Sequence, residues 1–252
     1  MDADVEVPLG VLWVVAVAAE AEAVLRGLGS GVAVPEPWRP TLVAPEHALI
    51  VSGVGKSGAA GASALAVGWA QPALVVSAGV AGALGGELEI GSVVVGTESI
   101  EADEGVRTAD GFIPVSELGF GPALDGGSRF ASPPELVEDL LEIGFRAGTI
   151  ATVSSGSGSD AARDEIVART GAIAEAMEGA AVLRAAAWLG LPAVEVRAIS
   201  NTTGHRAAQH WDLPLALDRL SSGVLACSPV FERYARGRQV RERPGADPRH
   251  GS

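Results

Sequence analysis

The sequence predicts an α/β fold: a single domain with a central mixed, mostly parallel β-sheet flanked by helices. Three observations carry that expectation. Short apolar runs recur along the chain, separated by alanine-rich stretches of helical composition. Some of these runs stop in Ser, Gly or Asn, the pattern of buried parallel strands whose carboxyl ends open onto a crevice. The chain has 252 residues, 48% of them hydrophobic, which is enough for one large core.

The first strand is expected at residues 11–18. The apolar run there superficially resembles a secretory leader, but Asp2, Asp4 and Glu6 put negative charge where a leader carries positive, and the first basic residue is Arg26. Further strands are expected at 48–52, 73–77, 92–97, 148–153 and 193–200, and a helix at 179–189, where alanine dominates. The Pro-rich segment 34–45 and the Gly-rich segment 105–127 carry few helix signals and read as peripheral loops or short hairpins. The domain therefore spans 1–234. Residues 235–252, rich in arginine and ending in Gly, Asp, Pro and His, are expected to form a disordered charged tail.

Composition narrows the partners. A net charge of −13 without an interior basic run argues against a nucleic-acid surface and for a small-molecule ligand. The lone cysteine, Cys227, cannot form an intrachain disulfide, which points to a reducing compartment, the cytoplasm, and its neighbours Leu225 and Ala226 suggest a buried thiol. No segment approaches the roughly 18 to 20 apolar residues of a membrane span. Gly53, Gly55 and Gly58 satisfy a dinucleotide-loop spacing, yet the next predicted strand ends in Ser77 instead of an acid. A phosphate loop would need glycine where Ile50 stands. No cluster has metal-ligand spacing, so no metal and no cofactor are expected.

Two stretches carry the chemistry. Met177-Glu178-Gly179 opens the predicted helix, so the Glu178 carboxylate sits at a helix entrance, able to accept hydrogen bonds from two vicinal hydroxyls. Arg197-Ala198-Ile199-Ser200-Asn201 ends the last predicted strand, which puts Asn201 at the mouth of a crevice. Taken singly, the first reads equally well as a dipole partner and the second as a turn former.

Together, in this order, and with Ser52-Gly53-Val54-Gly55-Lys56 and Ser77-Ala78-Gly79-Val80-Ala81-Gly82, they resemble the nucleoside phosphorylase and nucleosidase superfamily over residues 11 to 226. The resemblance is to its methylthioadenosine/adenosylhomocysteine nucleosidase and futalosine hydrolase branches. It implies a nucleoside phosphorylase-like fold, a homo-oligomer, ribose contacts from Met177 and Glu178, a purine contact from Asn201 beside Ser200, and a crevice loop at Val80, Ala81 and Gly82.

The choice of reaction follows from charge. Phosphorylases of this kind hold phosphate with an arginine at the position matched here by Ser77, and 73–84 contains no Arg or Lys, so water is the expected nucleophile. Water needs a general base. The acids after the first strand resemble the nucleosidase base, with gap-free alignment favouring Glu22 over Glu20; either one could instead stabilise a helix start. The catalytic set is thus Glu22, Glu178 and Asn201. A neutral amide at 201 suits a 6-oxopurine, which favours the futalosine hydrolase branch on a route to menaquinone: futalosine is split into hypoxanthine and dehypoxanthine futalosine. Arg206 and His205 are candidates for the acidic extension of its sugar. Segment 153–160 lacks the aromatic residue that stacks on adenine in the nucleosidases. The alternatives are an adenine-releasing nucleosidase, against which Asn201 speaks, and a non-catalytic nucleoside binder on the same fold.

Overall fold

The computed structural model describes residues 9–120 and 128–242. Strand β1 (Val11–Val15) lies between β3 (His47–Val51) and β4 (Leu74–Ala83), parallel to both. Val11, Trp13 and Val15 project into a core shared with α1 (Ala18–Gly27) and α6 (Leu213–Glu242). Leu12 and Val14 project into a second core, shared with α2 (Lys56–Ala70) and α5 (Gly179–Trp188). Both faces are covered, so every side chain of the strand is buried, which is why it reads as an unbroken apolar run. Each such side chain contributes roughly 1.5–3 kcal/mol on burial.

The sheet runs in the order β10 (Ala174–Ala176), β9 (Arg146–Thr152), β5 (Val93–Glu101), β11 (Ala193–Thr202), β4, β1, β3 and β2 (Thr41–Ala44), with β8 (Arg129–Ala131) on β5. β11 is parallel to β4 and antiparallel to β5, and β10 returns to pair antiparallel with the end of β4. Strands β4, β11, β5, β9 and β10 thereby close a ring. Ala81, Ala83, Val94, Ile150, Ala174 and Ile199, drawn from all five, pack into a core cluster of their own. Helices α3 (Pro134–Glu142) and α4 (Asp160–Thr170) complete the layers, and β6 (Gly105–Thr108) and β7 (Gly111–Pro114) form a peripheral hairpin.

Segment 34–45 ends in β2, the outer arm of an edge hairpin with β3, in keeping with the peripheral hairpin expected there. The structure corrects the sequence reading in two places. Residues 80–82 are not a loop but the end of β4, because β11 and β10 pair with both sides of the glycine-rich stretch. The expected tail is helical as far as residue 242: α6 carries a seam of Ala216, Leu220, Val224, Cys227, Phe231 and Ala235, all inaccessible, so the domain boundary at 234 falls inside a helix. Beyond the seam, Arg236 pairs with Glu46 and Glu232. Residues 121–127 of the Gly-rich segment and 243–252 of the tail lie outside the described residues.

Trp13 Nε1 donates to His47 Nδ1 at 3.0 Å, leaving the other ring nitrogen, 3.0 Å from Glu232 Oε1, to tie the sheet to α6. Cys227 is fully buried, which pushes its thiol above the ordinary range and makes it a packing residue. No helix among the described residues is long and apolar enough to cross a membrane.

Candidate active site

The carboxyl ends of β1, β3, β4 and β11 face the same way, and together with the end of β10 they rim a cavity of about 490 Å³. Of the residues singled out in the sequence, Met177, Glu178, Val80, Ala81, Gly82, Ser200, Asn201 and Arg206 all line it.

Glu22 does not. It is exposed on α1, and Glu20 lines the cavity in its place. The reason is helical geometry: at 3.6 residues per turn, two positions along a helix turn a side chain by about 200°, so only one of the two acids can face the sheet. The structure therefore reverses the preference for Glu22. Glu20 is the third residue of α1, and Oε2 accepts the backbone N–H groups of Ala16 (2.9 Å) and Val17 (3.2 Å), the reach-back of a capping carboxylate. Oε1 accepts Val80 N at 2.9 Å from β4. The acid is thus both a helix cap and a side chain aimed into the cavity. Burial raises its pKa, opposed by Arg197 and the Val80 N–H and assisted by Glu178.

Glu178 caps α5, and its Oε1 accepts Gly55 N at 3.0 Å. Gly55 has φ of 97°, a left-handed conformation that glycine adopts without strain and that turns this N–H toward the carboxylate. Glu178 Oε2 lies 3.5 Å from Arg197 Nη1. Arg197 is almost wholly buried; its Nε donates to Glu195 Oε1 at 2.8 Å and Nη2 to Ser77 Oγ at 3.0 Å. Ser99 Oγ donates to Glu195 Oε2 in a short bond. Burial raises the pKa of Glu195, with Arg197 and Ser99 pulling it down. A Cβ on residue 179 would collide with the Glu195 carboxylate, so glycine there is what lets α5 start against this network. Ser77 occupies the position where the resemblance looks for a phosphate-binding arginine, and the nearby guanidinium is committed to three carboxylates. Such surroundings offer no counter-charge to a dianion.

Asn201 is buried, with Ser200 Oγ donating to its Oδ1 at 2.8 Å and its Nδ2 donating to Thr202 O at 2.9 Å. Each polar atom keeps capacity for a ligand. At the rim, the Arg206 guanidinium lies 5.0 Å over the Trp211 ring, and Arg206 Nη1 donates to Gln209 Oε1 at 2.7 Å. Trp211 supplies the cavity with the aromatic ring that 153–160 lacks. His205 lies off the cavity, its backbone N–H donating to Asp160.

Sequence reasoning gave no role to Glu175, Ser157 and Gln209, which also line the cavity, or to the Glu195–Arg197 pair behind it. The signal for the pair was present: two charges inside an otherwise apolar strand have to find each other.

A further ion pair holds the walls in place. Lys56 Nζ lies 2.7 Å from Glu101 Oε2 and 2.5 Å from Asp103 Oδ1, and Asp103 Oδ2 accepts Ser154 N at 2.5 Å. Asp103 thereby links the turn carrying Gly55 to segment 153–158. Asp103→Asn should lower kcat/KM about tenfold, the scale of one charge-assisted hydrogen bond, with little change in Tm; steady-state kinetics beside a thermal melt reads both.

A ring-closed mixed sheet with a crevice of acids and an amide at its strand ends defines the class. The sequence pattern of the Phosphorylase superfamily matches residues 39–234, and the chain belongs to that superfamily. It is 40% identical over 194 residues (74% of this chain, 80% of the relative) to a futalosine hydrolase of Streptomyces coelicolor. It is 36% identical over 227 residues (87% and 91%) to a futalosine hydrolase of Acidothermus cellulolyticus. In fold it is similar to the 5'-methylthioadenosine/S-adenosylhomocysteine nucleosidase of Helicobacter pylori, with a TM-score of 0.69 at 19% identity, covering 94% of this chain and 100% of the other. The futalosine hydrolase of the same organism gives 0.65 at 19% identity, covering 91% and 98%.

Proposed function

We propose that this chain hydrolyses the N-glycosidic bond of futalosine, releasing hypoxanthine and dehypoxanthine futalosine on a route to menaquinone. The observation that carries the chemistry is the convergence of Glu20, Glu178 and Asn201 on one cavity, in a chain that shares 36 to 40% of aligned residues with futalosine hydrolases.

Glu178 binds the ribose hydroxyls as an anion and favours positive charge developing on the sugar. Glu20 takes a proton from the attacking water as its oxygen bonds to the anomeric carbon. The electron pair of the breaking C–N bond leaves with the purine, whose charge Asn201 relieves by hydrogen bonding until the base takes a proton from solvent water and departs as neutral hypoxanthine. Met177, Ser200 and Val80 to Gly82 shape the walls. Arg206, braced by Gln209 and Trp211 at the rim, faces the carboxylate of the sugar's extension.

Product chromatography tests the reading, with futalosine, methylthioadenosine and inosine supplied separately, with and without phosphate. Hypoxanthine from futalosine, independent of phosphate, is the expected result; adenine from methylthioadenosine alone, or a phosphate requirement, overturns it. Arg206→Ala should raise KM for futalosine about tenfold and leave inosine unaffected, since only futalosine carries the carboxylate. Equal effects on both substrates would remove Arg206 from the role.

The same reading takes the enzyme to be a cytoplasmic homo-oligomer. Support for self-association comes from the groove between α2 and α5, lined in part by exposed Trp188 and Leu189, and light scattering on the purified protein measures it.

A further inference from the structure

Glu175 has no part in the reaction as written above, yet it is buried and lines the same cavity as Asn201. Strand register brings the two together. Glu175 stands opposite Gly82 across the antiparallel β10–β4 pair, and Asn201 stands opposite the same Gly82 across the parallel β11–β4 pair. The two backbones are therefore two strand spacings apart, on the order of 10 Å, with a residue lacking a side chain between them. A Cβ on residue 82 would come within 3.0 Å of Asn201 Nδ2, so glycine keeps that ground open. The Glu175 carboxylate is held by one neighbour: Ser157 N donates to Oε1 at 2.8 Å and Ser157 Oγ to Oε2 at 2.6 Å. Burial raises the Glu175 pKa, both Ser157 donors oppose that rise by favouring the ionised form, and each oxygen retains a second lone pair.

The Asn201 amide, held one way round by Ser200 Oγ and Thr202 O, suits a 6-oxopurine, but because it offers both an acceptor and a donor it does not by itself exclude a 6-aminopurine. An ionised carboxylate only accepts. A 6-oxopurine carries hydrogen on N1, whereas a 6-aminopurine presents a bare lone pair there. We propose that Glu175 sets the base specificity of this cavity, its carboxylate accepting the N1–H of a 6-oxopurine while Asn201 addresses the remaining edge. The proposal rests on the reading of the cavity as a purine nucleoside site and names the residue that chooses between purines.

The test separates base recognition from turnover. Calorimetry on the full chain measures binding of free hypoxanthine, adenine and 1-methylhypoxanthine to the wild type, Glu175→Gln and Glu175→Ala, with futalosine hydrolysis assayed alongside. The wild type should prefer hypoxanthine to both others by about 100-fold, because a site built around a donor rejects ligands that lack it. In the variants the preference should fall below about tenfold. Equal binding of hypoxanthine and 1-methylhypoxanthine by the wild type overturns the proposal even if neither variant folds. So does a folded variant that keeps the wild-type preference, or one that loses hypoxanthine and adenine alike, since that marks Glu175 as an anchor for Ser157 only. If futalosine is not cleaved but the preference and its loss are seen, the reaction reading fails and the recognition by Glu175 stands. Cleavage of futalosine with a preference indifferent to Glu175 leaves the reaction standing and removes Glu175 from base selection.

Discussion

Glu20→Gln should lower kcat for futalosine by about 10²- to 10⁴-fold, the usual contribution of a positioned general base, while leaving substrate affinity nearly intact. Glu22→Gln, on the exposed face of α1, should leave both parameters unchanged. Glutamine preserves the length of the side chain, and its one carbonyl oxygen can still accept the N–H groups of Ala16 and Val17 while only the bond from Val80 N is given up, so a loss of turnover is not a loss of the helix cap. Equilibrium binding beside single-turnover rates separates the two. The pH profile adds an independent sign. Glu20 works deprotonated, and burial, the largest cause, raises its pKa above the ordinary value of 4.5. Activity should therefore fall on acidification at a higher pH than an exposed carboxylate would give, and this acid limb should vanish from the residual rate of Glu20→Gln. Stability moves the other way in the same window. A folded-state pKa raised above its unfolded value contributes stability that is full below the unfolded value and is lost as pH rises through the folded one. The group that makes the site active near neutrality thus weakens the fold there. Full turnover by Glu20→Gln would transfer the base role elsewhere.

The inversion of Glu20 and Glu22 shows where the sequence stops being legible. That an acid near the end of β1 would face the crevice was implied by the resemblance to the nucleosidases. Which acid did so depended on where α1 begins, and a run of alanines and glutamates contains no signal for its first residue. The strands with both faces covered were legible for the same reason that they are buried. Strand β10 was not, because three residues, Ala-Glu-Ala, carry too little periodicity to register, and its pairing with β4 is a long-range event. The glycines of β4 were read as a loop since glycine weakens a strand pattern; here they thin a strand paired on both sides so that side chains from β10 and β11 can meet over it. Asn201, Glu178 and Met177 were legible through ordered motifs, but Glu175 was not, since its meaning comes from the residue it sits beside and not from its neighbours in the chain.

The other large effect lies behind the cavity. Arg197→Met should destabilise the protein by about 3–5 kcal/mol, because it strips the cation from a buried cluster without removing its anions. The guanidinium is within 2.8 Å of Glu195 and 3.5 Å of Glu178, and it is also the main influence opposing the desolvation of Glu20. Three carboxylates, Glu195 behind the cavity and Glu178 and Glu20 on its wall, would be left without the cation that lies between them. For a domain of this size the loss corresponds to about 10 °C or more in Tm. The cost belongs to the orphaned charges and not to the packing of the arginine, so it should be recoverable. Adding Glu195→Gln to Arg197→Met removes the most deeply buried anion while keeping an acceptor for Ser99, and the double variant should regain at least about 1 kcal/mol over the single one. Acidification should also shrink the penalty, since the raised pKa values of Glu195 and Glu20 let them take up protons before an exposed acid does. Thermal melts of the four proteins in the cycle at two pH values measure all three effects. An additive cycle with a pH-independent loss would mean that Arg197 stabilises the fold by shape alone. A coupled cycle would tie the charge of Glu178 and Glu20, and with it the hold on the sugar and on the attacking water, to a single buried cation.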